Sequence, residues 1–312
     1  MKILITGASG NVGQFVTQEL IKLNEEVVVG GTNVLKLKEL FGQKVNSKLF
    51  DFQNPDTFDD VLEGVDRVYL MRPPHLGNPK DLFPFLERLK NYPIKHIVFL
   101  SLMGIENNRI PPHYKIEKKI ETLSIPYTHI RPGFFMQNIS GIHSVEIREK
   151  NEIFVPAGNS KTSFIDAMDI GYAISRILHE PVNHQNKAYT LTGLESLTYY
   201  DIAEILSDVT NREITYRKPS LLRYRNTYIH GRKLNKTYVN VTVALYLMTR
   251  MGTAKTITND YKLITGQFLQ LLENFVSKIN IYLHVRRYKN GTYKFLESIF
   301  RISKLTQRHS IF

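Results

Sequence analysis

Short apolar runs alternate with segments of helical period along the first 130 residues. The apolar runs span 3–6, 26–30, 47–50, 66–71, 96–100 and 127–130, and the helical segments span 11–24, 34–41, 55–63, 80–90 and 113–123. Runs such as VVV and HIVFL contain almost no polar residue, as expected of strands covered on both faces. The alternation predicts an α/β fold, namely a Rossmann-type, doubly wound parallel sheet with crossover helices.

The pattern becomes irregular after Arg131-Pro132-Gly133. Aromatic and Asn-rich segments follow, although TSFIDAMDIGYAISRIL and KAYTLTG return to the α/β pattern. Within a unit spanning 1–266, we therefore predict a Rossmann core of 1–133 plus 161–193. A small, mainly helical C-terminal lobe is predicted to comprise 134–160 and 195–266.

The tail, 267–312, differs in character. Its apolar residues recur at helical spacing and form one amphipathic stripe: Phe268, Leu271, Leu272, Phe275, Val276, Ile279, Tyr282 and Leu283. Two interpretations are open, a helix packed on the body that leads into a basic end, or a helix on a membrane surface. Asn290-Gly291 indicates a turn, and FLESIFRISKL fits a second short helix.

Composition excludes several classes of protein. The chain has 312 residues, 42% of them hydrophobic, and no Cys, which rules out disulfides, thiolate metal sites and a cysteine nucleophile. No His/Asp/Glu cluster has metal-ligand spacing, so we expect no metal. The longest weakly polar stretch, Val239 to Met248, is too short to span a bilayer, and we expect a cytoplasmic protein.

The formal net charge is +12, and half of that excess lies in 267–312, where eight Lys/Arg face two Glu. Residues 1–266 then carry an ordinary excess of +6. We therefore expect a small-molecule substrate rather than a nucleic acid as partner.

GASGNVG, residues 7–13, follows the first strand and precedes the first helix. Gly7, Gly10 and Gly13 allow a tight turn and a close approach of backbone N–H groups to phosphate. A structural turn without a ligand is the alternative for three glycines alone. The strand-loop-helix context favours binding of a dinucleotide pyrophosphate.

The end of the second strand bears on the choice of cofactor. VVVGGTNVLK has no acidic residue to accept the 2′-hydroxyl of NAD, whereas Thr32, Asn33 and Lys36 offer donors to a 2′-phosphate. We expect NADP(H) to be preferred, with NAD(H) possible. Asp51 after the third strand either caps the adenine amine or caps the following turn.

A candidate catalytic group lies in the fifth strand and the helix after it. Ser101 closes HIVFLS, and Tyr114 lies one helical turn before Lys118. The Lys118 ammonium would favour the Tyr114 phenolate during proton donation to a carbonyl oxygen that Ser101 polarises. A simple charged helix face is the alternative for YKIEKKIE.

These residues converge on a family. GASGNVG, MRPPHLG, FLSLMG, HYKIEKKIE, IPYTHIRPGFFMQN, SFIDAMDIG and KAYTLTG together resemble the NmrA-like atypical short-chain dehydrogenases, from residue 1 to about 266. The resemblance is greatest to bacterial NAD(P)H-dependent quinone or azo-type reductases.

The resemblance implies NADP(H) in a cleft between the Rossmann domain and the lobe. It points to Gly7, Ser9, Gly10, Asn11, Val12 and Gly13 at the pyrophosphate and Met71-Arg72-Pro73 near the cofactor ribose. It also places Arg131-Pro132-Gly133 on the nicotinamide side. His75, Phe134, Phe135, Met136 and Asn138 would contact the substrate.

Two hypotheses of function follow. The first is an NADPH-dependent oxidoreductase that transfers a hydride to a quinone-like or other small apolar acceptor. The second is a regulator that binds NAD(P) to sense redox state without turnover.

Overall fold

The computed structural model of the chain describes the backbone of residues 2–284 and the side chains of residues 2–279. The chain divides into two compact units. The first contains Met1–Gly133, Ile165–Gly193 and Thr258–Leu269; the second contains Phe134–Phe164, Leu194–Ile257 and the chain from Gln270 onwards. The predicted bounds differ from these in three places: the second piece of the core was predicted from 161, 258–266 was placed in the lobe, and the tail was given to neither unit.

The first unit is built on a seven-stranded sheet in which every pair of neighbours is parallel. The spatial order is β10-β6-β5-β4-β1-β2-β3. The strands are β1 (Lys2–Thr6), β2 (Glu26–Gly31), β3 (Asn46–Leu49), β4 (Val65–Met71), β5 (His96–Leu100), β6 (Tyr127–Pro132) and β10 (Lys187–Leu191). The chain order reverses between β1 and β4, so their carboxyl ends form the switch point at which such sheets bind ligands.

Seven helices belong to this unit: α1 (Gly13–Lys22), α2 (Val34–Phe41), α3 (Phe58–Leu62), α4 (Phe83–Arg88), α5 (Pro112–Glu121), α8 (Ala167–His179) and α12 (Asp260–Thr265). Short 3-10 turns, Pro55–Thr57 and Pro79–Leu82, lead into α3 and α4 where continuous helices were predicted. Each turn has a proline in its first positions, with an Asn side chain capping it. The doubly wound α/β fold is confirmed.

Helix α8 packs directly on the backbone of α1. A Cβ on Gly171 would lie 2.5 Å from Cβ of Phe15 and 3.0 Å from the Val16 nitrogen. Arg67 of β4 is fully buried below the end of α8 and donates to the carbonyl oxygens of Leu178 and His179 and to Glu25. These contacts tie a late segment of the chain to the first strands.

Helix α12 completes the edge of the sheet. The Thr190 N–H of β10 donates to Oδ2 of Asp260 at 2.7 Å, and the Thr258 N–H donates to Oγ1 of Thr192 at 2.9 Å. These bonds explain why 258–269 belongs to the first unit rather than to the lobe.

The second unit combines short strands with helices. Its strands are β7 (Phe134–Phe135), β8 (Glu152–Ile153), β9 (Thr162–Ile165), β11 (Ser196–Leu197) and β12 (Thr215–Tyr216). Its helices are α6 (Gln137–Ser140), α7 (Ser144–Lys150), α9 (Tyr199–Thr210), α10 (Leu221–Asn226), α11 (Lys236–Arg250) and α13 (Leu272–His284), with a π-helical turn at Thr227–Gly231. Stacked and edge-on rings fill the core, among them Phe154, Tyr224 and Tyr246.

Helix α13 (Leu272–His284) lies in the first part of the predicted tail, 267–312. Leu272, Phe275, Val276 and Ile279 are buried in the core of the second unit, whereas Phe268 and Leu271 are exposed before the helix begins. The docked-helix interpretation therefore holds for this stretch, and a membrane-facing stripe does not. The predicted turn at Asn290-Gly291 and the predicted helix FLESIFRISKL lie outside the described residues.

Within residues 2–284, no helix combines the length and the apolar character needed to cross a bilayer.

Candidate active site

The glycine loop is tightly wound between β1 and α1. Gly7 has a φ of +64°, and the Gly10 N–H donates to the Gly7 carbonyl at 2.9 Å. A Cβ on Gly13 would lie only 2.3 Å from that carbonyl oxygen. Helix α1 starts at Gly13 without a side-chain cap from Val12, so its N-terminal dipole faces the loop. The loop thus fits an anionic group held by backbone N–H groups.

The switch point is braced by Thr6. Its Oγ1 donates to the Tyr69 carbonyl and accepts from the Met71 N–H, both at 3.1 Å. The Met71 side chain then lies against the loop, because a Cβ on Gly7 would be 2.6 Å from its Cγ. Ser9 and Asn11 are half-buried in the loop, while the Val12 side chain is core.

Arg72 folds back on its own loop. Its Nη1 donates to the carbonyl oxygens of Pro73 at 3.0 Å and Leu76 at 2.6 Å. Its buried Nε has no hydrogen-bond partner among the described atoms, and burial lowers the pKa of the guanidinium. His75 in the same loop is exposed.

Two polar side chains that follow β2 and β3, those of Asn33 and Asp51, accept hydrogen bonds from nearby backbone N–H groups. Oδ1 of Asn33 caps α2 by accepting from the Lys36 N–H at 2.9 Å, which leaves the amide NH₂ of Asn33 as a donor beside exposed Thr32. Asp51 Oδ1 accepts from the Gln53 N–H at 2.9 Å. Asp51 therefore caps the following turn, which was the second of the two interpretations of this residue. Its other carboxylate oxygen, Oδ2, takes no part in that bond.

Tyr114 and Lys118 do lie on one side of α5. The Lys118 ammonium is 5.9 Å from the centre of the Tyr114 ring, and the Arg109 guanidinium is 5.7 Å from it. However, Lys118 is more than half exposed and donates to Oε2 of Glu121 at 2.7 Å. The ammonium thus sits over the ring and is shared with a carboxylate.

His113 is a residue that the sequence analysis overlooked. It lies 6.1 Å from the Phe99 ring, and its buried Nδ1 has no hydrogen-bond partner among the described atoms. Burial, reinforced by the nearby Arg72 charge, lowers its pKa to about 4, so the ring is neutral at pH 7. Its place one residue before Tyr114 was the only available signal.

Arg131 is engaged by carboxylates. Its Nε and Nη2 donate to the two oxygens of buried Glu117 at 3.0 and 2.7 Å, and Nη1 lies 3.3 Å from Glu106. Burial raises the pKa of Glu117, but the hydrogen bonds from Arg131 and nearby positive charge outweigh it and lower that pKa. The Arg131 side chain therefore links β6 to α5. Its guanidinium N–H groups are directed to Glu117 and Glu106 and not to a cofactor.

Backbone hydrogen bonds fix the positions of three predicted site residues near the Arg131–Glu117 pair, namely Ser101, Pro132 and Gly133. The Ser101 N–H donates to Ile130 at 2.7 Å, and the Gly133 N–H donates to Leu191 at 2.8 Å. The Pro132 carbonyl accepts from the Met103 N–H at 3.1 Å. Buried Ser101 thus ends β5 beside Glu117.

The fold brings together three possible metal ligands that are not spaced as a motif in the sequence. Glu117, Glu121 and His129 bring one potential ligand atom each within 4.8 Å of the others. Sequence spacing missed the group because α5 and β6 supply its members separately. Arg131 already occupies both Glu117 oxygens, and its charge repels a cation at this place.

The predicted substrate residues in the second unit differ in burial. Phe134 packs against Phe164 and Tyr246, and Phe135 is half-buried. Asn138 is half-buried, and its carbonyl accepts from the His143 N–H at 3.1 Å. Met136 is only 2% exposed and belongs to the core, so it does not line an open mouth.

The parallel sheet, the reversal of strand order and the glycine loop define a Rossmann-type dinucleotide fold. The chain belongs to the NmrA-like family, whose model matches residues 1–250. The family expected from the sequence is therefore confirmed.

Three known proteins illustrate the similarity. Prestalk A differentiation protein A of Dictyostelium discoideum is 29% identical over 89% of this chain and 92% of its own length. NAD(P)H azoreductase of Xenophilus azovorans is 29% identical over 69% of this chain and 76% of its own. Among solved structures, NADPH-dependent quinone oxidoreductase QOR2 of Escherichia coli with NADPH has a TM-score of 0.81 at 21% identity, covering 89% and 99% of the two chains.

These relatives confirm the expected class of enzyme, an oxidoreductase. They do not favour a regulator without turnover.

Proposed function

We propose that this chain is an NADPH-dependent reductase that transfers a hydride to a quinone-like or other flat apolar acceptor. The observation that carries the proposal is the glycine loop, where a Cβ at position 13 would overlap the Gly7 carbonyl. Such a loop at the switch point fits the pyrophosphate of a dinucleotide. When bound, the nicotinamide cofactor supplies the hydride.

The choice of NADPH rests on the end of β2. Gly31, Thr32 and Asn33 offer no carboxylate to a ribose 2′-hydroxyl. The free amide NH₂ of Asn33 and the half-buried Lys36 favour a 2′-phosphate through hydrogen bonds and charge. The dependence of the azoreductase relative on NAD(P)H supports a nicotinamide cofactor without choosing between the two.

Reduction of a quinone takes a hydride from the cofactor and a proton from solvent water, while hydrogen bonds hold the acceptor oxygen. His113 is half-buried beside Phe99 of β5, and its neutral ring can donate an N–H to that oxygen. Ser101 is buried at the same strand end and supplies a hydroxyl. We propose these two as the polar groups that orient the acceptor, with Tyr114 and Lys118 kept as the competing pair.

Steady-state oxidation of NADPH and NADH, followed at 340 nm against a panel of quinones, azo dyes and aldehydes, tests the function. We expect turnover with NADPH and at least one quinone or azo compound. Tight NADPH binding without oxidation by any acceptor of the panel would refute the reductase.

A further inference from the structure

The positive charge of the body is concentrated in one segment. Residues 214–257, all in the second unit, contain nine Lys/Arg and no Asp or Glu. The rest of the chain up to residue 266 has 24 Lys/Arg against 27 acidic residues. The segment therefore carries a net charge of +9, and the rest of residues 1–266 carries a net charge of −3.

Most of these cations have no acidic partner. Arg217 pairs with Glu152, and Arg232 pairs with Glu146. Among the described residues, no carboxylate forms an ion pair with the other seven, which include Lys218, Lys233 and Lys236. The segment is thus a source of uncompensated positive potential.

Helix α11, at the centre of this segment, is apolar on two sides. One side buries Val239 and Tyr246 in the unit's core. The opposite side exposes Val241 and Leu247, and Met251, the residue that follows the helix, is also exposed; their exposed fractions are 55%, 48% and 76%. A surface helix normally turns polar residues outward, so this exposed stripe requires a partner.

Basic residues flank the exposed apolar residues along the chain. Lys236 and Arg250 are the first and last residues of α11, and Lys233 and Lys255 flank it in sequence. Nε of Arg225 donates to Oδ1 of Asn240, an exposed residue of α11, at 2.8 Å. Arg250 and Lys218 also line a depression of about 590 Å³ whose eight lining residues include no acid.

We propose that this surface, from α10 to Lys255, docks on an anionic lipid bilayer. The apolar stripe would enter the acyl boundary while the rim of lysines and arginines meets phosphate headgroups. Pairing with a second copy through a two-fold axis would place unpaired cations against cations. A nucleic acid would satisfy the cations and leave the apolar stripe in water.

The test is co-sedimentation of the full chain with phosphatidylcholine vesicles, with and without phosphatidylglycerol, over a range of salt concentrations. Two double variants address the surface: K233E/K236E for charge and L247S/M251S for the stripe. K44E and L263S, at exposed positions of the first unit, serve as matched controls. Circular dichroism and NADPH binding report whether each variant is folded.

We expect the wild type to bind only the anionic vesicles and to dissociate as salt rises. K233E/K236E should weaken binding by at least about 30-fold, because each basic group at such a surface contributes about fivefold. L247S/M251S should also weaken it, and the controls should bind like the wild type.

Three results would overturn the proposal. One is absence of binding to anionic vesicles, and another is wild-type affinity in both surface variants. The third is a dimer, or a complex with a DNA duplex, that the surface variants abolish while vesicle binding is absent. A reductase that is active and ignores vesicles would reject this inference and leave the proposed function intact.

Discussion

Arg131 at the end of β6 donates two parallel hydrogen bonds to Glu117, a carboxylate buried on α5. The pair joins the strand to the helix that carries His113 and Tyr114. Removing one member of a buried pair leaves the other charge without compensation, at a typical cost of about 3 to 5 kcal/mol.

We therefore expect Glu117→Gln to lower the free energy of unfolding by about 3 kcal/mol, measured by urea denaturation. The double variant E117M/R131M should lose less than the sum of the single variants. Glu180→Gln, which breaks an exposed pair with Arg176, is the matched control and should change little. Equal losses in the two single carboxylate variants would contradict the role given to the buried pair.

Gly13→Ala tests the phosphate loop. The new Cβ would overlap the Gly7 carbonyl, so the loop must open, and we expect NADPH affinity to fall by at least about tenfold, or about 1.4 kcal/mol. Gly77→Ala is the control, because a Cβ there meets nothing within 4 Å. Fluorescence titration of NADPH measures both, and unchanged affinity in Gly13→Ala would remove the loop from the binding site.

Lys36→Met tests the cofactor preference without disturbing the α2 cap, which uses only the Lys36 backbone N–H. Loss of a charge near a 2′-phosphate should weaken NADPH by about five- to tenfold and leave NADH unchanged. Lys38→Met, at an exposed position of the same helix, is the control. Wild-type affinity for NADH equal to or above that for NADPH would reject the preference itself.

Variants of His113 and Tyr114 distinguish the two hypotheses about which side chain acts on the acceptor. If His113 orients the acceptor, His113→Phe should lower kcat by about 10²-fold with NADPH affinity unchanged, and His113→Gln, which keeps a donor, should lose less. Tyr114→Phe and Lys118→Met should then retain activity. The reverse pattern, with Tyr114→Phe inactive and His113→Phe active, would restore the pair expected from the sequence.

Buried histidines predict a loss of stability in mild acid. Burial lowers the pKa of His96, His113 and His129 to about 4 and that of His143 to about 3. An unfolded imidazole takes up its proton near pH 6.5, so the free energy of unfolding falls as pH decreases from about 6.5 to 4. Each histidine contributes up to about 1.4 kcal/mol per pH unit in that window.

His129→Phe should accordingly flatten the dependence of unfolding free energy on pH between 4.5 and 6, measured by urea denaturation at each pH. Tyr127→Phe, which changes the ring stacked on His129, is the control and should keep the wild-type slope. An unchanged slope in His129→Phe would show that this ring does not titrate as its burial implies.

The sequence predicted those features that a local pattern encodes. Helix α2 was expected at 34–41 and occurs at Val34–Phe41, because apolar spacing and the Asn33 cap define it locally. The glycine loop was found for the same reason. The Glu117–Arg131 pair, the cluster with His129 and the burial of His113 were not found, since they depend on how α5 settles on the sheet. The burial of Met136 could not be predicted either, because an aromatic-rich segment has the same sequence pattern in a core as in an open pocket.

Arg67 has a consequence for synthesis on the ribosome. Its partners at Leu178 and His179 emerge more than one hundred residues later, as does the β10 edge of the sheet. Until then the guanidinium can pair with Glu25 but not with those carbonyl oxygens, and the flank of α1 that Gly171 covers stays exposed. The sheet of the first unit can therefore be completed only after translation has passed β10, and α12 is added later still.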